Sequence, residues 1–498
     1  MNNQYPNITC FGGTGMIGGN QFFLQDEDAR IMLDFGIPFK IRENYFEEFL
    51  KPRTAAGLED YLKTGIIPPI EGIYRHDLLR IHQMIRGDNS LSLHQEPDYD
   101  LLLLSHAHVD HSGHIPLLDP GITVACSEMT RTILKVMSTV GQSGLESDYI
   151  EFRVRSEEGK MSKKESEPRI PRSFHLYNKE NPFFQNERVL AHPVDHSIPG
   201  ATAYIIRTSK GLVVYTGDFR AHGIRKEDTF NFVSLVEKLK LSGEKVLALL
   251  IEGTTLQRED ISKQYSEEDV RTSLYTLMKS HPLGLILVDF GPRNVERLVL
   301  TVEAAQSAGR KVLLRLPDAY LLREIHKVNP AFPDPSHPEV EILMERRSSD
   351  PRKWEKEIII EYKNKLVTPF ELRKNPDKYV VLFSFFDINE VVDFNLSHGT
   401  FIYSSSEAYT EEQKFDLKRL RNWLKLFNFE FVGDPDNKDF NLPLHVTGHA
   451  YPDTIKEVIQ RIEPQILIPI HTEKPEKFID IAPLSRVLIP VYGETLYL

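Results

Sequence analysis

Ser105-His106-Ala107-His108-Val109-Asp110-His111-Ser112-Gly113-His114 follows directly on the apolar run Leu101-Leu102-Leu103-Leu104. The run reads as a strand buried on both faces. Sheets of that kind carry their chemistry on the loops that leave their strand ends. Within His106-x-His108-x-Asp110-His111 the spacing sorts the donors. His106 and His108 alternate and face one cation; Asp110 and His111, after the chain turns, face another. A lone histidine is usually solvated or internally paired, but four imidazole and carboxylate donors within six residues point to metal. A two-metal site also needs ligands from distant loops, one of them a carboxylate able to span both ions.

The remaining donors recur at the ends of apolar runs. His196, in Asp195-His196-Ser197-Ile198-Pro199-Gly200, precedes a strand over 202–206 and is read as the third ligand of the first metal; His192 is read as structural. The strand over 212–216 ends in Gly217-Asp218, which places Asp218 as the bridging carboxylate. The strand over 246–251 ends in Glu252-Gly253, another carboxylate followed by glycine. His449 and His471 each lie at a turn beside an apolar strand, in Thr447-Gly448-His449-Ala450 and Ile468-Pro469-Ile470-His471-Thr472-Glu473. Asp34 ends the strand over 30–35 and reads as a carboxylate that orients a metal-binding histidine. The glycines of 12–19 precede no helical pattern and no Lys-Ser/Thr, which excludes a phosphate loop.

From about residue 256 helical patterns alternate with short apolar strands, the signature of a parallel sheet. The expected organisation is therefore a metal-binding domain over 1–255, an inserted α/β domain over 256–435, and a return segment over 436–498. Residues 37–97 read as an insertion of helix and loop without chemistry, and 155–173 as a solvated charged loop. Ser404-Ser405-Ser406 follows a strand and reads either as a phosphate-oxygen site or as a helix N-cap.

The chain has 498 residues, 60 basic and 72 acidic side chains, and a net charge of −12. That balance excludes a general basic coat for nucleic acid, though not a nuclease, whose metals and a local groove can hold one strand's phosphates. Two cysteines imply no disulfide framework and a reducing compartment. The N-terminus has no signal pattern and no stretch approaches a membrane span. The expectation is a cytoplasmic protein with no membrane partner.

Together these residues resemble the metallo-β-lactamase superfamily: Asp34, His106-x-His108-x-Asp110-His111, His196 and Asp218 match its four motifs in order. Glu252, His449 and His471 are similar to the further motifs of the β-CASP subgroup, and Thr447–Ala450 and Ile468–Glu473 to ribonuclease J-like members. The Thr-Gly-Ser-Gln-Gly-Glu stretch usual in ribonuclease J is not recognisable near Phe383-Ser384-Phe385, and its extra C-terminal domain is expected to be missing.

The resemblance implies an αββα sandwich with an inserted β-CASP parallel-sheet domain. It implies a dinuclear hydrolase, a nuclease acting on single-stranded RNA, with a homodimer as one assembly. His106, His108, His196 and Asp218 would hold one metal, and Asp110, His111, Asp218 and His471 the second. Zinc suits these donors, with manganese as another occupant. Asp110, His449 and Glu252 are the candidate catalytic residues; Ser404, Ser405 and Thr447 are candidate substrate contacts. The alternative is a small-substrate hydrolase acting on a thioester or lactone.

Overall fold

The computed structural model describes residues 6–47, 49–87, 91–141, 144–156, 160, 168–178, 182–184, 187–257, 264–291, 293–405, 411–437 and 440–498. Most of the charged stretch 155–173 and Ser406 lie outside them. The described chain is mixed α/β and divides into two compact units. One comprises Met1–Ala221, Arg225–Ser262 and His449–Leu498; the other comprises His222–Ile224 and Lys263–Gly448.

The first unit is built on two seven-stranded sheets. One runs in the order Thr495–Tyr497, Asn7–Gly12, Gln21–Asp26, Ala29–Phe35, Leu101–Leu103, Thr123–Ser127, Phe174–Tyr177. The other runs Arg486–Val487, Ile466–Ile470, Val246–Glu252, Gly211–Tyr215, Thr202–Thr208, Val189–Pro193, Phe183–Phe184. Side chains alternate across a strand with period two, and the parity decides which layer each residue fills. Ile8, Phe22, Leu24, Ile31, Leu33, Leu101 and Leu103 of the first sheet share one core with Tyr204, Ile206, Val213, Tyr215, Leu250 and Ile468 of the second. The opposite parity of the second sheet, including Ile205, Val214, Leu249 and Leu467, packs on Phe232, Val233 and Val236 of helix Lys226–Leu241 and on Ile455, Val458, Ile459 and Ile462 of helix Pro452–Ile462. Helix Glu128–Val140, whose Ser127 cap accepts from Thr130 N at 3.0 Å, packs beside strand Thr123–Ser127. The result is the metallo-β-lactamase sandwich.

The strands that matter for function run parallel. Ala29–Phe35 pairs in parallel with Leu101–Leu103. Gly211–Tyr215, Val246–Glu252 and Ile466–Ile470 form a parallel set in the other sheet. Asp34, the 105–111 loop, Asp218, Glu252 and His471 all lie at or just past the carboxyl ends of these strands.

The second unit is the β-CASP insertion, a wholly parallel seven-stranded sheet. Its order is Leu366–Val367, Val340–Leu343, Lys311–Leu314, Tyr379–Leu382, Leu285–Asp289, Gly399–Tyr403, Phe429–Val432. Compared with the expected 256–435, this unit runs from Lys263 to Gly448. The short turn Thr254–Gln257 is fastened inside the first unit, where Thr255 Oγ1 donates to Ala450 O at 2.6 Å and Lys477 Nζ to Leu256 O at 2.8 Å. Leu444 is fastened inside the second, its carbonyl accepting from Arg297 Nη1 at 3.0 Å. No helix among the described residues is long and apolar enough to cross a membrane.

Candidate metal centre

The centre is assembled from the loop that leaves strand Leu101–Leu103. Ser105 N and Oγ both donate to Asp34, at 2.7 Å each, and Tyr215 OH donates to Asp34 Oδ2 at 2.5 Å. A carboxylate only accepts, so His111 Nδ1, 2.6 Å from Asp34 Oδ2, is the donor there. His111 Nε2 then faces Asp218 Oδ2 at 3.1 Å. Because the Ser105 hydroxyl proton goes to Asp34, its oxygen accepts from His106 Nδ1 at 3.0 Å. That turns His106 Nε2 toward His108 Nδ1, 3.0 Å away, and His196 Nε2 reaches the same His108 nitrogen at 3.1 Å. Burial, then the neighbouring imidazoles, push His106 and His196 well below the ordinary histidine range. Both are neutral, with ring nitrogens converging on one point.

The second donor group is Asp110, His111, Asp218 and His471, also close enough to share one ion. His471 sits at φ +51° just past strand Ile466–Ile470. Its backbone N donates to Gly13 O at 2.7 Å, and its Nδ1 lies 2.8 Å from Thr254 Oγ1. Nε2 is thereby directed at Asp110 Oδ2, 3.3 Å away, and at Asp218 Oδ2, 3.6 Å away.

Asp218 stands between the two groups. Its Oδ2 lies 3.9 Å from His106 Nε2, 3.1 Å from His111 Nε2, 3.9 Å from His196 Nε2, 3.7 Å from His449 Nδ1 and 3.6 Å from His471 Nε2. Its Oδ1 is buried and has no hydrogen-bond partner among the described residues. Burial opposes ionisation of Asp110 and Asp218, but His111 and His471 beside them hold both carboxyls well below the usual range.

Divalent cations fit this donor set. With His111 Nδ1 committed to Asp34, the Nε2 lone pair meets a carboxylate at 3.1 Å, a contact that only a proton or a metal between them makes favourable. Against the opposing effect of burial, Asp218, Asp110 and Asp34 raise His111 well above its ordinary range. Among the described residues, every ion pair of Asp110 and Asp218 is with a histidine.

Glu252 and His449 form the remaining pair. Glu252 Oε1 lies 3.2 Å from His449 Nδ1 and accepts from Ala450 N at 3.2 Å, while Oε2 accepts from Thr254 N at 3.0 Å. Burial opposes protonation of His449, but Glu252 and then Asp218 raise it to about 9. Its side chain is 20% exposed, while Glu252 is wholly buried.

The structure thus brings Asp34, His106, His108, Asp110, His111, His196, Asp218, Glu252, His449 and His471 into one cluster. Ser404, Ser405 and Thr447 belong to the other unit. Ser404 is buried there, its hydroxyl accepting from Arg297 Nη1 at 2.7 Å and donating to Leu444 O at 2.5 Å. Thr447 O faces His222 Nε2 at 2.9 Å. His192 pairs with Pro193 O, and His114 is enclosed by Phe35 and Tyr61.

Sequence reading missed Ser105, Tyr215 and Thr254, the hydroxyls that orient the candidate ligands. It also missed the use of the glycine loop. A Cβ on Gly18, at φ +76°, would stand 2.8 Å from Asp110 Oδ2, and one on Gly36 would stand 1.7 Å from Asp110 O. Gly18 is the glycine of the 12–19 loop that meets the metal motif, while Gly12, Gly13 and Gly19 make room for Gly19 O, Asn20 and Pro38.

No protein-family model matches the chain. It is 26% identical to "Ribonuclease J" of Sinorhizobium meliloti over 406 residues, 78% of this chain and 60% of the relative. It is 24% identical to "Ribonuclease J 1" of Streptococcus pyogenes over 61% of this chain and 43% of the relative. The figure for "Ribonuclease J" of Thermus thermophilus is 25%, over 62% and 45%. The chain therefore spans three fifths or less of the length of these curated relatives. A crystal structure of a protein of unknown function from Enterococcus faecalis superposes with a TM-score of 0.72 at 24% identity, covering 99% of this chain and all of the other. The chain is ribonuclease J-like, with the metallo-β-lactamase fold and a β-CASP insertion.

Proposed function

We propose that this chain is a dinuclear metal-dependent phosphodiester hydrolase acting on single-stranded RNA. The observation that carries this reading is Asp218, one carboxylate oxygen within 4 Å of five histidines and the other without a hydrogen-bond partner among the described residues, between two donor groups. His106, His108, His196 and Asp218 would hold one ion; Asp110, His111, Asp218 and His471 would hold the other. Nitrogen and oxygen donors of this mix suit zinc, with manganese an alternative set by availability. Such ions would supply Lewis acidity, lowering the pKa of water from ~15.7 towards ~7 and offsetting charge that develops on a phosphate.

The chain's own residues set the geometry. Asp34, fixed by Ser105 and Tyr215, locks His111 in the tautomer that presents Nε2. Thr254 does the same for His471. Asp110 and Asp218 stay ionised and accept only. Glu252 anchors the His449 ring at Nδ1, and that part-exposed ring is placed to protonate the leaving oxygen or to hold the scissile phosphate. Ser405 and Thr447 are carried as candidate substrate contacts. The names of the curated relatives support the RNA substrate, and the Glu252–His449 pair supports acid catalysis of the kind a poor alkoxide leaving group needs.

The test is hydrolysis of one single-stranded RNA, labelled at either end, with Zn²⁺ or Mn²⁺, beside an Asp110→Ala control. Metal-dependent cleavage that the control lacks is the expected result, and the labelled product gives the polarity. A fully metallated chain that leaves RNA intact but hydrolyses a thioester or lactone overturns the proposed substrate.

A further inference from the structure

A second group of metal-ligand type lies apart from the cluster above, in the same unit. His76 opens helix His76–Arg86, His94 follows that helix, and Asp119 lies just beyond the turn Ile115–Leu117. His94 Nε2 is 3.3 Å from Asp119 Oδ2, His76 Nε2 is 4.0 Å from the same oxygen, and the two rings stand edge to face with centroids 4.5 Å apart. One donor atom from each residue lies within 4.8 Å of the other two.

Two features set this group apart from an ordinary histidine–aspartate pair. His76 Nε2, the nitrogen that faces Asp119, is out of solvent and without a hydrogen bond among the described residues, although the His76 side chain as a whole is 40% exposed. A buried nitrogen left unpaired is unfavourable, and the His94–Asp119 contact does nothing for His76. The edges also match. Zinc bonds of about 2.0–2.1 Å in a tetrahedron separate donors by about 3.3–3.4 Å. At the dinuclear cluster the corresponding edges run from 3.0 Å, His106 to His108, to 3.9 Å, His106 to Asp218. The edges at Asp119 fall in nearly the same range.

We infer that His76, His94 and Asp119 form a mononuclear site for a divalent cation of the zinc type. The nearby guanidinium does not exclude it, because Arg75 is matched by Asp77 at 2.7 Å and by Asp148 at 3.4 Å. His76 and Asp119 also line a cavity of about 370 Å³ that Arg80 and Arg155 share. A fourth position facing this cavity, which Arg75 and Asp77 also line, would take water or a small anion. Three protein ligands and an open position make an exchangeable site. A bound ion ties the helix that begins at His76 and the segment around His94 to the loop that follows the metal motif.

The test is zinc per chain at equilibrium dialysis against buffered, saturating Zn²⁺, with the full chain and with His76→Ala, His94→Ala and Asp119→Asn. Each variant should bind one equivalent fewer than the parent while keeping its helix content. The same one-equivalent difference is expected in an Asp218→Asn background, so the result does not depend on how the dinuclear cluster is filled. Should one variant not fold, His76→Gln, which keeps a polar side chain, serves in its place. Equal zinc in the parent and in every folded variant overturns the inference.

Discussion

His111 Nδ1 and Asp34 Oδ2 are joined at 2.6 Å across 77 positions of sequence, and neither atom is exposed. The contact decides which imidazole nitrogen faces Asp218. Asp34→Asn would keep the shape but offer an amide where the imidazole N–H needs an acceptor. Metal affinity should fall about 10–100-fold, as for other partners of metal-bound histidines, with the loss greatest for the ion that His111 shares with Asp110. Tyr215→Phe removes only one of the hydrogen bonds to Asp34 and should cost less. Zinc titrations of both variants against the parent check the order; equal affinities in all three would remove Asp34 from this role.

His449 is held by Glu252 and meets the cluster at Asp218, 3.7 Å away, and through ring contacts with His196 and His471. His449→Ala should retain two zinc ions at the cluster while lowering kcat on RNA by about 10²–10⁴-fold, the usual worth of a positioned proton donor. Glu252→Gln should give a smaller loss, because the amide oxygen can still accept from His449. Zinc stoichiometry measured beside kcat separates the roles. Loss of an ion in His449→Ala would make His449 a ligand instead.

Gly18 and Gly15 both have positive φ, +76° and +62°, but different surroundings. Alanine at Gly15 meets nothing within 4 Å and should cost only left-handed backbone strain, about 1–2 kcal/mol. Alanine at Gly18 adds a methyl 2.8 Å from Asp110 Oδ2 and 2.9 Å from its Cβ, so Asp110 must move. Gly18→Ala should lose more thermal stability than Gly15→Ala, and only Gly18→Ala should lose metal content and activity. Matching zinc occupancy in both would show that the loop does not position Asp110.

Much of this was legible because the chemistry is local in sequence. Four donors lie side by side at 106–111, and Asp34, Asp218, Glu252 and His471 each close an apolar run, a pattern that parallel strands impose by ending together. The resemblance added the order of the motifs. The orienting hydroxyls were not legible, since nothing marks Tyr215 or Thr254 until folding brings them to Asp34 and His471, 181 and 217 positions away. The glycines of 12–19 excluded a phosphate loop, but nothing in the sequence pairs Gly18 with Asp110, 92 positions away. Ser404, read from its place after a strand as either a phosphate-oxygen site or a helix N-cap, is engaged by Arg297, 107 positions earlier on helix Val295–Ser307, a pairing that nothing local marks.

The β-CASP unit carries its own pH dependence, separate from the metal cluster. Burial pushes Asp289, at the end of strand Leu285–Asp289, up to about 7, against the opposing effect of its hydrogen bond from Ser405. Burial likewise raises Asp318 to about 6 and Glu390 to about 7. Between the ordinary carboxyl range near 4 and these raised values the folded unit holds protons that the unfolded chain has released. The stabilising effect is complete below that window and is lost as pH rises through it. For Asp289, which is 7% exposed, a shift of this size corresponds to on the order of 4 kcal/mol. Thermal midpoints of the full chain should therefore fall from pH 5 to pH 8 in the transition that involves this unit. Asp289→Asn, uncharged at every pH, should flatten the fall and raise the midpoint at pH 8. A variant with the parent's slope would mean that Asp289 is already ionised in the folded unit at pH 5.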